Sequence, residues 1–239
     1  IKRILDLREF PDSPVADRFT KNFEDIINDV DIRVVVEVMG GTNPAYDFVK
    51  RSLLAGKNVV TSNKELVAKH GTELIKLAKD NGCSYLFEAS VGGGIPLIDP
   101  LCRAMSANKI NKICGILNGT TNYILTRMAS YGNDFETALT GAQKNGYAEA
   151  NPAADIEGID ACRKIAILSS VAWGVQTDCD KIKTTGISDI TTNDMTFAKK
   201  LGFTVKLIAY STIEADRISA FVEPMLVSSE NPLYFVNDV

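Results

Sequence analysis

The sequence has one histidine, one tryptophan and no surplus of positive charge among its 239 residues. With His70 alone, there is almost no material for histidine triads or multi-histidine metal centres. Lys and Arg number 26 against 30 Asp and Glu, a net charge of −4. That balance argues against a nucleic-acid backbone or an anionic membrane surface as the main partner. No apolar run approaches the roughly 20 residues that a bilayer span needs. The opening IKRILDLREF lacks the apolar core of a secretory signal. The cysteines (Cys83, Cys102, Cys114, Cys162 and Cys179) are odd in number, scattered in apolar contexts and without metal-ligand spacing. They read as reduced, buried thiols of a cytoplasmic protein. Internal repeats and low-complexity linkers are absent too. What remains is ordinary globular composition, 45% hydrophobic and 23% charged, enough for one large domain or two modest ones.

The first part of the chain alternates strand and helix patterns. IKRILDL reads as a strand, FTKNFEDIINDVD as a short helix, and RVVVEVM (Arg33 to Met39) as a β-branched strand buried on both faces. A helix over Ala45 to Ala55 closes at Gly56, NVVTS is a further strand, and NKELVAKHGTELIKLAKDNG is a long amphipathic helix ending at Gly82. CSYLFEAS is the next strand. Such alternation predicts βαβ units and a parallel, Rossmann-like sheet. Beyond the flexible SVGGGIP loop the texture changes. PLIDPLCRAM reads as helix, NKICGILNGTTNYILTRM as strand, turn and helix, and DFETALTGAQKNGYA and IDACRKIAILSSVAW as helices. A loop rich in Thr and Asp leads to two long strand patterns, FTVKLIAYSTI and RISAFVEPMLV, joined as a hairpin at Glu214-Ala215-Asp216. The expected fold class is α/β: a partial Rossmann-like parallel sheet over residues 1–94, then an α+β substrate-binding and dimerisation domain with a mixed sheet over 95–239.

Ligands of open parallel sheets sit beyond the carboxyl ends of the strands. Gly40, Gly41 and Thr42 follow one strand, Thr61, Ser62, Asn63 and Lys64 another, and Ser90 with Gly92, Gly93 and Gly94 a third. Each group alone is an ordinary βα turn; three at corresponding ends suggest a nucleotide edge. Lys64 opens a helix, where the macrodipole disfavours a cation. It is either a solvated lysine or a holder of an anionic or carbonyl-bearing ligand. Glu88, beside the glycine loop, needs partners or an ion. A different question is raised by GYAEANPAADIEGIDACRK (Gly146 to Lys164), which gathers Glu149, Asp155, Glu157 and Asp160 ahead of an apolar run. Asp160 and Lys164 are four apart and share a helix face. They form either a surface ion pair or a lysine held by a carboxylate at a pocket wall, able to move a proton. Acidic groups with one lysine suit a small zwitterion better than a polyanion.

NVVTSNKELVAKHG, FEASVGGGIPLI, GILNGTTNYIL and GYAEANPAADIEGIDACRKIAIL resemble homoserine dehydrogenases, in order and at family-like spacing, from about Arg33 to Pro232. The resemblance implies an oxidoreductase that interconverts L-homoserine and L-aspartate 4-semialdehyde with NAD or NADP, in threonine, isoleucine and methionine biosynthesis. It implies Lys64 near nicotinamide and substrate; Gly40, Gly41, Thr42 and Ser62 are expected on the cofactor side from their strand-end positions. Lys164 becomes the proton donor and acceptor, Asp160 the carboxylate beside the reacting end, Glu149 the holder of the substrate amino group and Asp155 a lesser member of that pocket. Glu88, Val91, Gly93 and Ile95 match positions whose oxygens, largely main-chain, hold a sodium ion. Asn118, Gly119 and Thr120 match the opening of the segment on the substrate-domain and dimer side, and a homodimer is expected.

The sequence also departs from the family. It has no G-x-G-x-x-G turn to cradle a pyrophosphate. It opens at what resembles the family's second strand, and stops at Val239 inside a family-like stretch, so part of a longer enzyme is expected. Asp6 and Arg8 both lie near the strand end that meets the adenosine ribose. An acid there favours NAD and an arginine NADP, which leaves the preference open. A catalytically silent dimerising domain and a related hydroxy-acid oxidoreductase are the competing readings.

Overall fold

The computed structural model describes residues 1–105 and 107–238. Two compact units divide after Pro96: Ile1–Pro96 and Leu97–Val239.

In the first unit, β1 (Ile4–Leu5) pairs in parallel with β2 (Phe19–Thr20), and α1 (Glu24–Ile27) follows. The helix expected from residue 19 therefore begins five residues later. Phe19 and Thr20 are β formers, and pairing with Ile4 and Leu5 claims their backbone groups. The chain then runs β3 (Val34–Glu37), α2 (Ala45–Leu54), β4 (Asn58–Thr61), α3 (Lys64–Asp80) and β5 (Tyr85–Leu86). β3, β4 and β5 form a parallel sheet in that order, built from two βαβ units as the alternation predicts. Gly56 and Gly82 follow α2 and α3 with φ of 70° and 64°, the left-handed stop of a helix C-terminus.

One expectation fails here. The RVVVEVM strand is covered on one face, not two. Val59, Thr61, Glu37 and Tyr85 are buried beneath the helices, whereas Val34, Val36 and Leu86 point the other way and are 52%, 64% and 54% exposed. A β-branched run reveals an affinity for burial; it says nothing of how many layers surround it.

In the second unit, a short helical segment at Pro100–Ala104 precedes β6 (Lys112–Gly115), α4 (Gly119–Tyr131), α5 (Phe135–Lys144), α6 (Ala153–Ile156) and α7 (Ile159–Trp173). Then come β7 (Lys183–Thr184), α8 (Thr192–Lys200), β8 (Phe203–Glu214) and β9 (Arg217–Ser228). The sheet order is β6-β8-β9-β7, with β7 parallel and the rest antiparallel: the mixed sheet expected. The β8–β9 register runs unbroken from Phe203↔Ser228 to Glu214↔Arg217. The two-residue turn places Ala215 and Asp216 at φ 46° and 63°, the left-handed pair that matches strand twist. Ile124, Leu125 and Met128 of α4, Ile165 and Ala166 of α7, and Val205, Leu207, Ala209 and Val222 of the sheet form one core. Fully burying each large side chain contributes about 1.5–3 kcal/mol.

The stretch read as a Thr- and Asp-rich loop holds β7 and α8. Thr191 caps α8 through a reciprocal box with Asp194, in which Asp194 N donates to Thr191 Oγ1 at 3.2 Å and Thr191 N to Asp194 Oδ2 at 2.8 Å.

Candidate active site

In the second unit, a charged pair is set into the start of α7. Asp160 occupies the first turn, where the helix dipole favours an anion. Lys164 lies one turn on, and its Nζ meets Asp160 Oδ2 at 2.7 Å. The two side chains are 3% and 18% exposed, so this is no solvated surface pair. Lys164 Nζ also donates to the Leu117 carbonyl at 2.8 Å. An ammonium has three donors, and the third has no acceptor among the described residues.

Asn118 binds the cluster together. Its Oδ1 accepts the Thr121 backbone N–H at 2.8 Å, capping α4, while its Nδ2 donates to Asp155 Oδ1 at 2.7 Å and Asp160 Oδ2 at 2.9 Å. One buried amide thus joins the N-termini of α4 and α7 to the carboxylate of α6. Sequence reasoning put Asn118 at the edge of a segment and missed this bridging role. The available signal was an Asn directly before a helix, whose carbonyl caps and whose NH2 is then free to serve acids.

Backbone packing sets the spacing of the two acids. Gly158, at φ 79°, caps α7, and a Cβ there would lie 3.1 Å from Thr184 Cγ2. A Cβ on Gly186 would lie 2.3 Å from the Ile156 carbonyl oxygen, and Ile187 N donates to that same oxygen at 2.8 Å. The α6–α7 corner therefore rests directly on backbone. Glu149 stands apart. Its loop is tied down by Thr120 Oγ1 to the Tyr147 carbonyl at 2.6 Å and by Gln143 Nε2 to its own carbonyl at 3.1 Å. Its carboxylate is exposed and takes no part in the Asn118 network.

In the first unit, the strand-end residues also converge. Gly40 and Gly41 have φ of 97° and 69°, with nothing within 4 Å of where a Cβ would be. Asn63 caps α3 by accepting Leu66 N at 3.1 Å, and its Nδ2 donates to the Gly41 carbonyl at 2.7 Å. This joins the 40–42 turn to the 61–64 turn. Lys64 is the first residue of α3 and half-buried; Ser62 is exposed. Asp6 and Arg8 pair with each other at 2.9 Å, and the guanidinium holds the Asp6 carboxyl down at about 2. After β5, Glu88–Ser90 forms a tight turn. The Glu88 and Gly92 carbonyls accept Val91 N at 3.3 Å and Ile95 N at 2.9 Å, whereas those of Val91, Gly93 and Ile95 accept no hydrogen bond among the described residues.

Comparison with known proteins covers both units. Residues 6–88 match the NAD-binding domain of homoserine dehydrogenase, and residues 96–239 match homoserine dehydrogenase proper. The chain is 43% identical over 219 residues to the homoserine dehydrogenase of Bacillus subtilis, covering 92% of this chain and 51% of that protein. The crystal structure of a homoserine dehydrogenase from Thiobacillus denitrificans superposes with a TM-score of 0.87 at 41% identity, over 92% of this chain and 51% of that one. A hyperthermophilic archaeal homoserine dehydrogenase in complex with NADPH gives 0.75 at 30% identity, over 89% and 61%. The chain spans about half the length of the curated relatives it matches. With both of its units accounted for by the same set of relatives, the chain belongs to the homoserine dehydrogenase family.

Proposed function

We propose that the protein bearing this chain interconverts L-homoserine and L-aspartate 4-semialdehyde with NAD or NADP, and so serves threonine, isoleucine and methionine formation. The observation that carries this reading is the buried Asp160–Lys164 pair beside Asn118. Oxidising an alcohol removes a hydroxyl proton; reducing the aldehyde returns it. Lys164, with two N–H groups anchored on Asp160 and Leu117, directs its third at the substrate oxygen and moves that proton. Asp160 keeps the amine in place and balances its charge. The exposed Glu149 carboxylate, on a loop fastened to α4 and α5, receives the substrate ammonium, and Asp155 lines the same pocket.

The nicotinamide group, when bound, supplies the hydride chemistry. The residues of the first unit fit it. Gly40 and Gly41 leave bare, approachable backbone at a strand end, Thr42 and Ser62 add hydroxyls, and Lys64 adds a cation. A sodium ion suits Glu88 with the carbonyls of Val91, Gly93 and Ile95, a set of hard oxygen donors whose carbonyls are otherwise unused. We place the protein in the cytoplasm, in keeping with five unpaired cysteines, of which Cys102 and Cys114 are exposed where burial was expected, and as a homodimer joined through the mixed sheet, where Met225 and Leu226 are 37% and 54% exposed. No described helix is long and apolar enough to cross a membrane.

The test is absorbance at the nicotinamide band for the protein at its full encoded length, mixed with L-homoserine and NAD⁺ or NADP⁺. Homoserine-dependent reduction supports the reading and names the preferred cofactor. A folded protein that reduces neither would overturn it and favour a silent domain or another hydroxy acid.

A further inference from the structure

Glu37, the last residue of β3, is 4% exposed and has no cationic partner among the described residues. A buried carboxylate without a counter-ion is expensive unless hydrogen bonds satisfy it. Here three do. Thr61 Oγ1 donates to Oε2 at 2.6 Å, Met39 N to Oε1 at 2.7 Å, and Asn63 Nδ2 to Oε1 at 3.4 Å. Thr61 Oγ1 in turn accepts Asn63 N at 2.9 Å. The second Nδ2 proton of Asn63 goes to Gly41 O, and its Oδ1 caps α3. Every one of these bonds ends on a strand-end turn: Met39 and Gly41 on one, Thr61 and Asn63 on the other. A second polar group faces the same spot. The Tyr85 hydroxyl is buried without a hydrogen-bond partner among the described residues, and burial followed by the Glu37 charge pushes it well above the usual phenol range. An apolar residue at position 37 would fill this place beneath the helices without any of that desolvation. The carboxylate's distinctive contribution is to accept from both turns at once.

We propose that Glu37 is a positioning residue for the cofactor edge. It locks the Gly40–Thr42 turn to the Thr61–Lys64 turn and thereby fixes where Lys64, the first residue of α3, stands. This rests on the reading that these turns hold NAD(P). Glu37 itself touches neither cofactor nor substrate; it acts through Asn63, Thr61 and the Met39 amide.

The experiment uses full-length protein, with Glu37→Gln and Thr61→Val as disrupting variants and Thr61→Ser as the conservative one. NADPH and NADH binding is measured by nicotinamide fluorescence without substrate. Amide hydrogen exchange at Met39 and Leu66 is measured without cofactor. We expect E37Q and T61V to weaken cofactor binding at least about tenfold and to quicken exchange at both amides, with T61S close to wild type and the KM for homoserine unchanged. If E37Q fails to fold by circular dichroism, T61V decides. Cofactor binding within about twofold of wild type in both disrupting variants, or equal losses in cofactor KM, homoserine KM and kcat, would make Glu37 a plain structural residue and overturn the proposal. Wild-type protein that binds neither nucleotide would instead bring down the cofactor reading, and this inference with it.

Discussion

Replacing Lys164 by alanine takes one partner from a pair whose other member, Asp160, is 3% exposed at its side chain. The carboxylate keeps the Asn118 N–H at 2.9 Å and loses its cation at 2.7 Å. Breaking a buried pair on one side costs about 3–5 kcal/mol. The surviving Asn118 bond and the 18% exposure of the Lys164 side chain, which admits water to the vacated space, place the loss near the low end, at about 3 kcal/mol. The Leu117 carbonyl, left without its donor, adds roughly 1 kcal/mol. On the proposed function, turnover should fall separately, by about 10²–10⁴, through loss of proton movement at the substrate oxygen. The two losses separate in the double variant Lys164→Ala/Asp160→Asn. A neutral amide needs no cation, so most of the stability returns while turnover stays low. Trp173, the only tryptophan, ends α7 and donates its indole N–H to the Ile110 carbonyl at 2.9 Å, so its fluorescence in a urea titration follows this part of the protein. Nicotinamide absorbance follows turnover. A double variant no more stable than K164A would refute the buried-charge reasoning, and wild-type turnover in K164A would remove Lys164 from the chemistry.

Cys162 sits between Asp160 and Lys164 on α7, and its contact with the Cys179 thiol holds its own thiol below the usual cysteine range. A lowered thiol gains thiolate at lower pH than a free cysteine, so Cys179→Ala should move the pH midpoint of Cys162 alkylation, followed by mass spectrometry, upward. In the β8–β9 turn, Ala215→Asn with Asp216→Gly relieves two left-handed side-chain residues and should stabilise the protein by about 1 kcal/mol, read as a higher urea midpoint at constant slope. Gly186→Ala drives a methyl into the Ile156 carbonyl and should destabilise by roughly 2–3 kcal/mol, with a raised homoserine KM as Asp155 shifts. An unchanged midpoint in G186A would mean the corner yields more easily than its backbone contact implies.

Much of this architecture is legible in the residues. The βαβ alternation, the extent of α7 and the hairpin all follow from hydrophobic period and from breakers at the right places. So does the Asp160–Lys164 contact, because helix geometry brings i and i+4 together whatever the tertiary fold. The features that sequence reasoning missed depend on partners far along the chain. Val34 and Val36 are apolar, yet nothing in them tells whether a second layer lies above. Phe19 and Thr20 become a strand because Ile4 and Leu5 are beside them. α8 was visible only through its capping box, which composition rich in Thr and Asp disguised. Asn118 gave the least warning, since its two carboxylate partners lie 37 and 42 residues away.

Asn118 also has a chemical lifetime. It precedes Gly119, and Asn-Gly is the pair that most readily loses ammonia: the glycine nitrogen attacks the side-chain amide carbon, a succinimide forms, and hydrolysis leaves an aspartate or its isomer. Asn81-Gly82 and Asn145-Gly146 have the same sequence, with the asparagine exposed in each. At Asn118 the fold holds the amide at all three of its polar positions and the residue is only 5% exposed, which keeps the carbon out of the nucleophile's path. Each unfolding event lifts that protection. A molecule that ages while open returns with a third carboxylate where a double donor stood between Asp155 and Asp160, and the repulsion falls on the pair that holds Lys164. Time spent unfolded is therefore recorded at the one residue whose two N–H groups keep the acids together.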